Sequence, residues 1–103
     1  MVRALALYGR PSDPTAFDHY YQETHIPKAR RLPGLRRYTI SAAPQAVEGE
    51  SPYHLVAELD FDDLEAFQGA MSSPEGQATV ADLANFATGG VTILVCDVED
   101  VTG

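Results

Sequence analysis

The sequence predicts an α+β fold of the ferredoxin-like kind, β-α-β-β-α-β, with a four-stranded antiparallel sheet and its helices on one face. Three observations carry this. Four stretches have strand patterning: Val2 to Tyr8, Leu35 to Ala42, Tyr53 to Phe61 and Val91 to Val98. Helix-start signals follow the first and third of these, whereas only a loop with two prolines separates the second from the third. The 103 residues, 45% of them hydrophobic, suffice for one core, so a single domain over 1–103 is expected.

Val2 to Tyr8 is a short apolar run ended by Gly9 and Pro11, and reads as a strand buried on both faces. Asp13 caps the next helix, with Pro14 in its first position. Along that helix Phe17, Tyr21 and His25 recur every four residues, drift about 40° per step and share one face, with Tyr20 beside them. Pro27 lacks an amide hydrogen and clashes with the preceding turn, so the helix is expected to end or bend at His25-Ile26. Pro33-Gly34 closes the unit. In Leu35 to Ala42, Tyr38 shares a face with Ile40.

Ala43 to Pro52 is an exposed loop. Tyr53 to Phe61 then alternates, with Leu55, Ala57, Leu59 and Phe61 on one side and His54, Val56, Glu58 and Asp60 on the other, so His54 is expected on the second face. Asp62 to Glu65 reads as a capping box led by Asp62, opening a helix with Leu64, Phe67 and Met71. Ser72 to Glu75 is a second box, opening a helix that buries Val80, Leu83 and Phe86 and stops at Gly89-Gly90. Val91 to Val98 is a last buried strand, followed by a polar tail.

In this topology one sheet face stays bare, and apolar residues on both sides of strands 1, 3 and 4 require it to be covered. A second copy packed face to face would cover it, making a homodimeric α+β barrel whose pockets lie between each sheet and its own helices. Fifteen acidic residues against seven basic give a net charge of −8, which opposes binding to nucleic acid or anionic membranes. A small neutral or cationic ligand, or one anchored by Arg30, Arg31, Arg36 and Arg37, fits better. The single Cys96 excludes an internal disulfide framework and a thiolate metal cluster, which makes a reducing cytoplasm the expected location. No leader-like or membrane-spanning apolar run is evident, so a soluble, unprocessed chain is expected.

A histidine at a helix break beside aromatics is either a proton shuttle in a pocket or a packed structural residue. His54 is open in the same way, meaningful if buried and uninformative if exposed. His19, beside Asp18, reads as a solvated helix residue. The histidines at 19, 25 and 54 form no spaced ligand set and no glycine-rich nucleotide fingerprint appears, so no metal, flavin or nicotinamide cofactor is expected.

The stretch F-D-x-Y-Y-x-x-T-H-I-P-x-A-x-x-L-P-G-L-R-R-Y, from Phe17 to Tyr38, resembles the first half of EthD-domain proteins, and S-P-E-G-Q (Ser73 to Gln77) and D-L-A-N-F (Asp82 to Phe86) resemble that family's second signature. The family is named for an accessory protein of bacterial ether degradation, and is similar to methylmuconolactone methylisomerase, cofactor-free monooxygenases and polyketide cyclases. The resemblance implies a dimeric barrel with a pocket for a cyclic, often aromatic, oxygenated compound. By motif, His25 and Tyr38 become pocket candidates, and the methylisomerase resemblance adds a histidine on the third strand, which His54 could supply. It also implies a cysteine near the second helix, which this chain lacks. Distant barrels of this class bind haem, which leaves ligation by His25 as an alternative.

The expected function is therefore cofactor-independent chemistry on a cyclic or aromatic metabolite. His25 is general acid/base, Tyr38 donates to an oxyanion, His54 is a further catalytic candidate, and Phe17, Tyr20, Tyr21 and Phe86 contact the substrate. The rival readings are a non-catalytic accessory protein binding the same kind of molecule, and a structural dimer whose pocket is filled by its own aromatics.

Overall fold

The computed structural model describes residues Met1–Gly103. Its elements are β1 (Val2–Gly9), α1 (Pro14–Tyr20), a π turn (Tyr21–His25), α2 (Ile26–Ala29), β2 (Arg37–Ala42), β3 (Tyr53–Phe61), α3 (Leu64–Ser72), α4 (Pro74–Asp82), a 3₁₀ turn (Leu83–Asn85) and β4 (Val91–Asp97). The strands form one sheet in the order β2-β3-β1-β4, with every neighbouring pair antiparallel. This is the ferredoxin-like arrangement that the strand and helix signals predict.

The register shows why the core lies on one side. Val2, Ala4, Ala6 and Tyr8 of β1 are buried with Leu55, Ala57 and Phe61 of β3, whereas Leu5 and Leu7 on the other side stay half-buried. Phe17, Tyr21 and Phe86 cover the Tyr8 end, and Ala29, Leu32 and Ala70 cover the Phe61 end. Within one chain β1 is therefore buried on its helix face alone and β4 is largely exposed, so burial of the second face would take a second copy. The helices reach β1 but stop short of β4, an edge strand on which Ile93, Leu94 and Val95 are all exposed. Val80, expected in the core, is also exposed, because it projects from α4 towards that uncovered margin.

Helix starts follow local competition for side-chain oxygens. Asp13 caps α1 as expected, accepting from the Ala16 amide. At α3 the cap is Asp63, not Asp62, because Asp62 is held by two hydrogen bonds from Arg36 and leaves the Ala66 amide to its neighbour. At α4 the cap is Ser73, not Ser72; its Oγ accepts from Gly76 N and donates to Ala70 O, tying the two helices together. Gly76 belongs at this crossing because a β-carbon there would collide with the Ala70 carbonyl.

The chain does not break at His25-Ile26. The Ile26 amide donates to Tyr21 O, five residues back, so one widened turn carries the helix through to Ala29. That turn accommodates Pro27, which cannot donate to a regular ladder and would crowd the carbonyl of residue 23. His25 ends up inside the widened turn, and its side chain is buried.

Candidate active site

Phe17, Tyr21 and His25 share the inward face of the first helix, as their spacing predicts, and all three are buried. The His25 ring packs at 4.6 Å from Phe86 and 5.2 Å from Tyr21. Its Nδ1 is 2.9 Å from Oδ2 of Asp82, the last residue of α4. Asp82 is fully buried, and its other oxygen accepts from Tyr20 Oη (2.6 Å), Lys28 Nζ (3.0 Å) and Asn85 Nδ2 (3.0 Å). Four donors from four elements thus converge on one carboxylate. Burial alone would raise the Asp82 pKa, but the hydrogen bonds from Tyr20, Asn85, His25 and Lys28 outweigh it and hold the carboxyl well below the usual range.

The ionised carboxylate fixes the imidazole. Since Asp82 can only accept, Nδ1 carries the proton and Nε2 is left with a lone pair. Desolvation pushes the His25 pKa down from its ordinary 6.5, against the opposing pull of Asp82 and with help from Lys28, so the ring is neutral near pH 7. No sealed side-chain nitrogen or oxygen lacks a partner. Nε2, which has no protein partner, is therefore not sealed, and His25 is one of the residues that line the adjoining cavity.

That cavity, about 70 Å³, lies between the helices and the sheet. Its floor is the small residues Ala4, Ala6 and Ala57, and its sides include Leu59, Phe61, Phe67, Met71 and Leu83. Polar groups are few. Tyr8, Tyr21 and Tyr38 line it together with His25, and Tyr21 and Tyr38 share a 2.6 Å hydroxyl contact. Burial raises all three phenol pKa values, so they stay protonated donors. Thr79 also lines the cavity, but its hydroxyl is spent on the Glu75 carbonyl.

The structure brings together His25, Tyr38 and Tyr21 of the sequence-based candidates, and not the others. Phe17 and Phe86 are core residues behind the His25 ring, and Tyr20 uses its hydroxyl on Asp82, so none of the three lines the cavity. His54 is elsewhere again. Strict alternation would turn it to the open face, but the β1–β3 register slips, with Tyr8 opposite Leu55 and Gly9 opposite Tyr53, which leaves His54 as the extra residue of a bulge. Its ring swings towards α1, edge-on to Phe17 at 4.9 Å, and its Nε2 donates to Asp18 at 2.7 Å. It lines a surface hollow, not the His25 cavity.

None of Arg30, Arg31, Arg36 and Arg37 reaches the cavity; Arg36 pairs with Asp62, and Arg30 stands in a separate hollow across Tyr38. A porphyrin has no room beside His25 in about 70 Å³. No three His, Cys, Asp or Glu side chains are grouped as a metal would need. No helix is long and apolar enough to cross a membrane. The residue that sequence reasoning missed is Asp82. Its signal is an aspartate at helical spacing between Thr79 and Phe86, both buried, where a charge is out of place unless it has partners.

Comparisons with known proteins agree with this architecture. An uncharacterised 11.0 kDa protein of Rhodococcus erythropolis, from the thcB-thcC intergenic region, is 38% identical over 102 residues, 98% of each chain. The crystal structure of an ethyl tert-butyl ether degradation (EthD) family protein from Bacillus halodurans is 37% identical, covers 96% of this chain and 99% of its own, and superimposes with a TM-score of 0.89. At 16% identity the fold recurs in SnoaB, a cofactor-independent oxygenase from Streptomyces nogalater, with a TM-score of 0.68 over 98% of this chain and 95% of that one. The EthD domain model matches residues 10–90, a span that holds the π turn, His25, Tyr38 and Asp82, and the chain belongs to the EthD domain family.

Proposed function

We propose that the protein is a cofactor-independent enzyme that moves a proton next to the oxygen of a cyclic or aromatic metabolite. The observation that carries this reading is the His25–Asp82 pair at 2.9 Å, which leaves a neutral imidazole with an unpartnered Nε2 beside an apolar cavity. Nε2 removes a proton from carbon or hydroxyl, and Asp82 stabilises the imidazolium that results. The electron pair moves onto the substrate oxygen. The Tyr21–Tyr38 pair uses one hydroxyl hydrogen internally and has one left, which donates to that oxyanion. Isomerisation, cyclisation, dehydration and oxygenation all begin with such a step, and the likeness to a cofactor-independent oxygenase is consistent with it.

The functional unit in this proposal is a homodimer in a reducing cytoplasm. Leu5, Leu7, Val56 and Leu94 form an apolar strip across the face without helices. A second copy packed on that face would cover it.

The test is exchange of the acidic hydrogens of 2-tetralone, a benzo-fused cyclic ketone, into D₂O, followed by NMR. Catalysed exchange that His25→Gln lowers by about 10²- to 10⁴-fold supports the proposal. The tight packing of His25 against Phe86 and Tyr21 favours a second reading, a non-catalytic binding protein. Binding of the ketone without catalysed exchange would select it.

A further inference from the structure

We infer that the cavity takes only the head of its ligand, an uncharged carbonyl or hydroxyl with a few carbons, and that an apolar ring stands in the mouth between Val80 and Ile93. This rests on the reading of the His25 end as the oxygen-binding end. Size is the first argument. A cavity that holds benzene measures about 150 Å³, whereas this one is about 70 Å³ and cannot enclose a whole ring.

The position of the mouth is the second argument. Most lining residues are buried or half-buried, but Val80 on α4 and Ile93 on β4 line the cavity while each remains 48% exposed. Val95, two residues along β4 on the same side as Ile93, extends the apolar rim at 42% exposure. A ligand longer than the cavity leaves through this gap, across aliphatic side chains that suit a flat ring.

Charge is the third argument. No Lys, Arg, Asp or Glu lines the cavity. Lys28 is committed to Asp82, and Arg30 stands in a separate hollow across Tyr38. A carboxylate or phosphate head would be buried without a counter-ion, in a protein of net charge −8. The unspent groups, the Tyr8 hydroxyl, one hydrogen of the Tyr21–Tyr38 pair and the Nε2 lone pair, match a neutral head that accepts hydrogen bonds and offers an acidic hydrogen.

Three probes separate these features: acetone is the head alone, acetophenone adds the ring, and benzoate keeps the ring but makes the head anionic. Binding is read by ¹H–¹⁵N shift titration of the labelled protein. Acetophenone should bind about tenfold or more tighter than acetone, since burying part of a ring is worth at least about that factor, and benzoate about tenfold or more weaker than acetophenone. Val80→Trp keeps the rim apolar but narrows the gap, so it should reduce the ratio of acetophenone to acetone affinity towards one. Ile93→Trp should do the same from the opposite side. Benzoate equal to acetophenone, an acetophenone advantage untouched by both tryptophans, or no binding of the ketones would overturn the inference. Binding is measured without turnover, so failed exchange on 2-tetralone with the ring preference intact removes the catalytic proposal and leaves this one standing.

Discussion

Asp82 Oδ2 lies 2.9 Å from Nδ1 of His25, and the two residues are 57 positions apart, one at the end of α4 and the other in the π turn. Asp82→Asn keeps the shape but presents an amide that donates as readily as it accepts, which frees the imidazole to take the other tautomer. Exchange activity is expected to fall about 10²-fold or more, with KM for the ketone nearly unchanged. A proportional rise in KM instead would show that Asp82 shapes the cavity and not the base.

Asp82→Ala should act on stability as well. It strips the carboxylate from Tyr20, His25, Lys28 and Asn85 and leaves the buried His25 N–H without a partner, at a cost of about 3 kcal/mol. Urea unfolding measures this. A loss below about 0.5 kcal/mol would mean that the network relaxes or takes up water without penalty.

Acid should destabilise the protein in two separate windows. His25 is buried neutral with a lowered pKa, so the unfolded chain binds more protons there. Its contribution is present above the unfolded value of 6.5 and is lost as pH falls below that value towards the lower folded one. Asp82, with its depressed pKa, contributes above its unfolded value of 3.8 and loses that contribution only below it. Denaturation midpoints between pH 7 and 5 should therefore fall in the wild type and flatten in His25→Gln, while the steeper loss below pH 4 persists in that variant.

The bare sheet face predicts association. Light scattering at micromolar concentration should give twice the monomer mass, and Leu94→Lys, placed on the open face opposite Leu5, should shift the protein towards monomer. A wild-type monomer under these conditions would contradict the barrel.

What the sequence showed, and what it hid, follows from the range of the interactions. β3 runs from Tyr53 to Phe61 as its alternation indicates, and the shared face of Phe17, Tyr21 and His25 follows from a four-residue spacing, because both depend on near neighbours. Tyr38 was marked by the family motif it ends, and it lines the cavity beside its strand partner Leu59. The bulge at His54 depends on how β1 meets β3 across more than forty residues, and alternation within one strand carries no trace of it. Asp63 took the cap from Asp62 because Arg36, 26 positions away, holds Asp62, whereas Ser73 caps α4 while bonded to the Ala70 carbonyl within its own turn. Exposure of Val80 and β4 was hidden likewise, since it depends on where the helices end over the sheet.

Tyr38→Phe and Tyr21→Phe separate the hydroxyl pair. Removing either hydroxyl still leaves one phenol hydrogen facing the cavity, but only one of the two variants leaves it where the substrate oxygen sits. One variant should lose about 2–4 kcal/mol of transition-state stabilisation and the other much less. Equal small losses in kcat/KM would remove the oxyanion role from the pair.

The central claim is that neutral His25 is the base, and the pH dependence of 2-tetralone exchange tests it most directly. The account predicts that kcat/KM rises with pH through one apparent pKa below 6.5, the ordinary histidine value, and is flat above it, with that limb absent from the residual rate of His25→Gln. A rate that falls as pH rises through that range, or a limb that survives in His25→Gln, would contradict it.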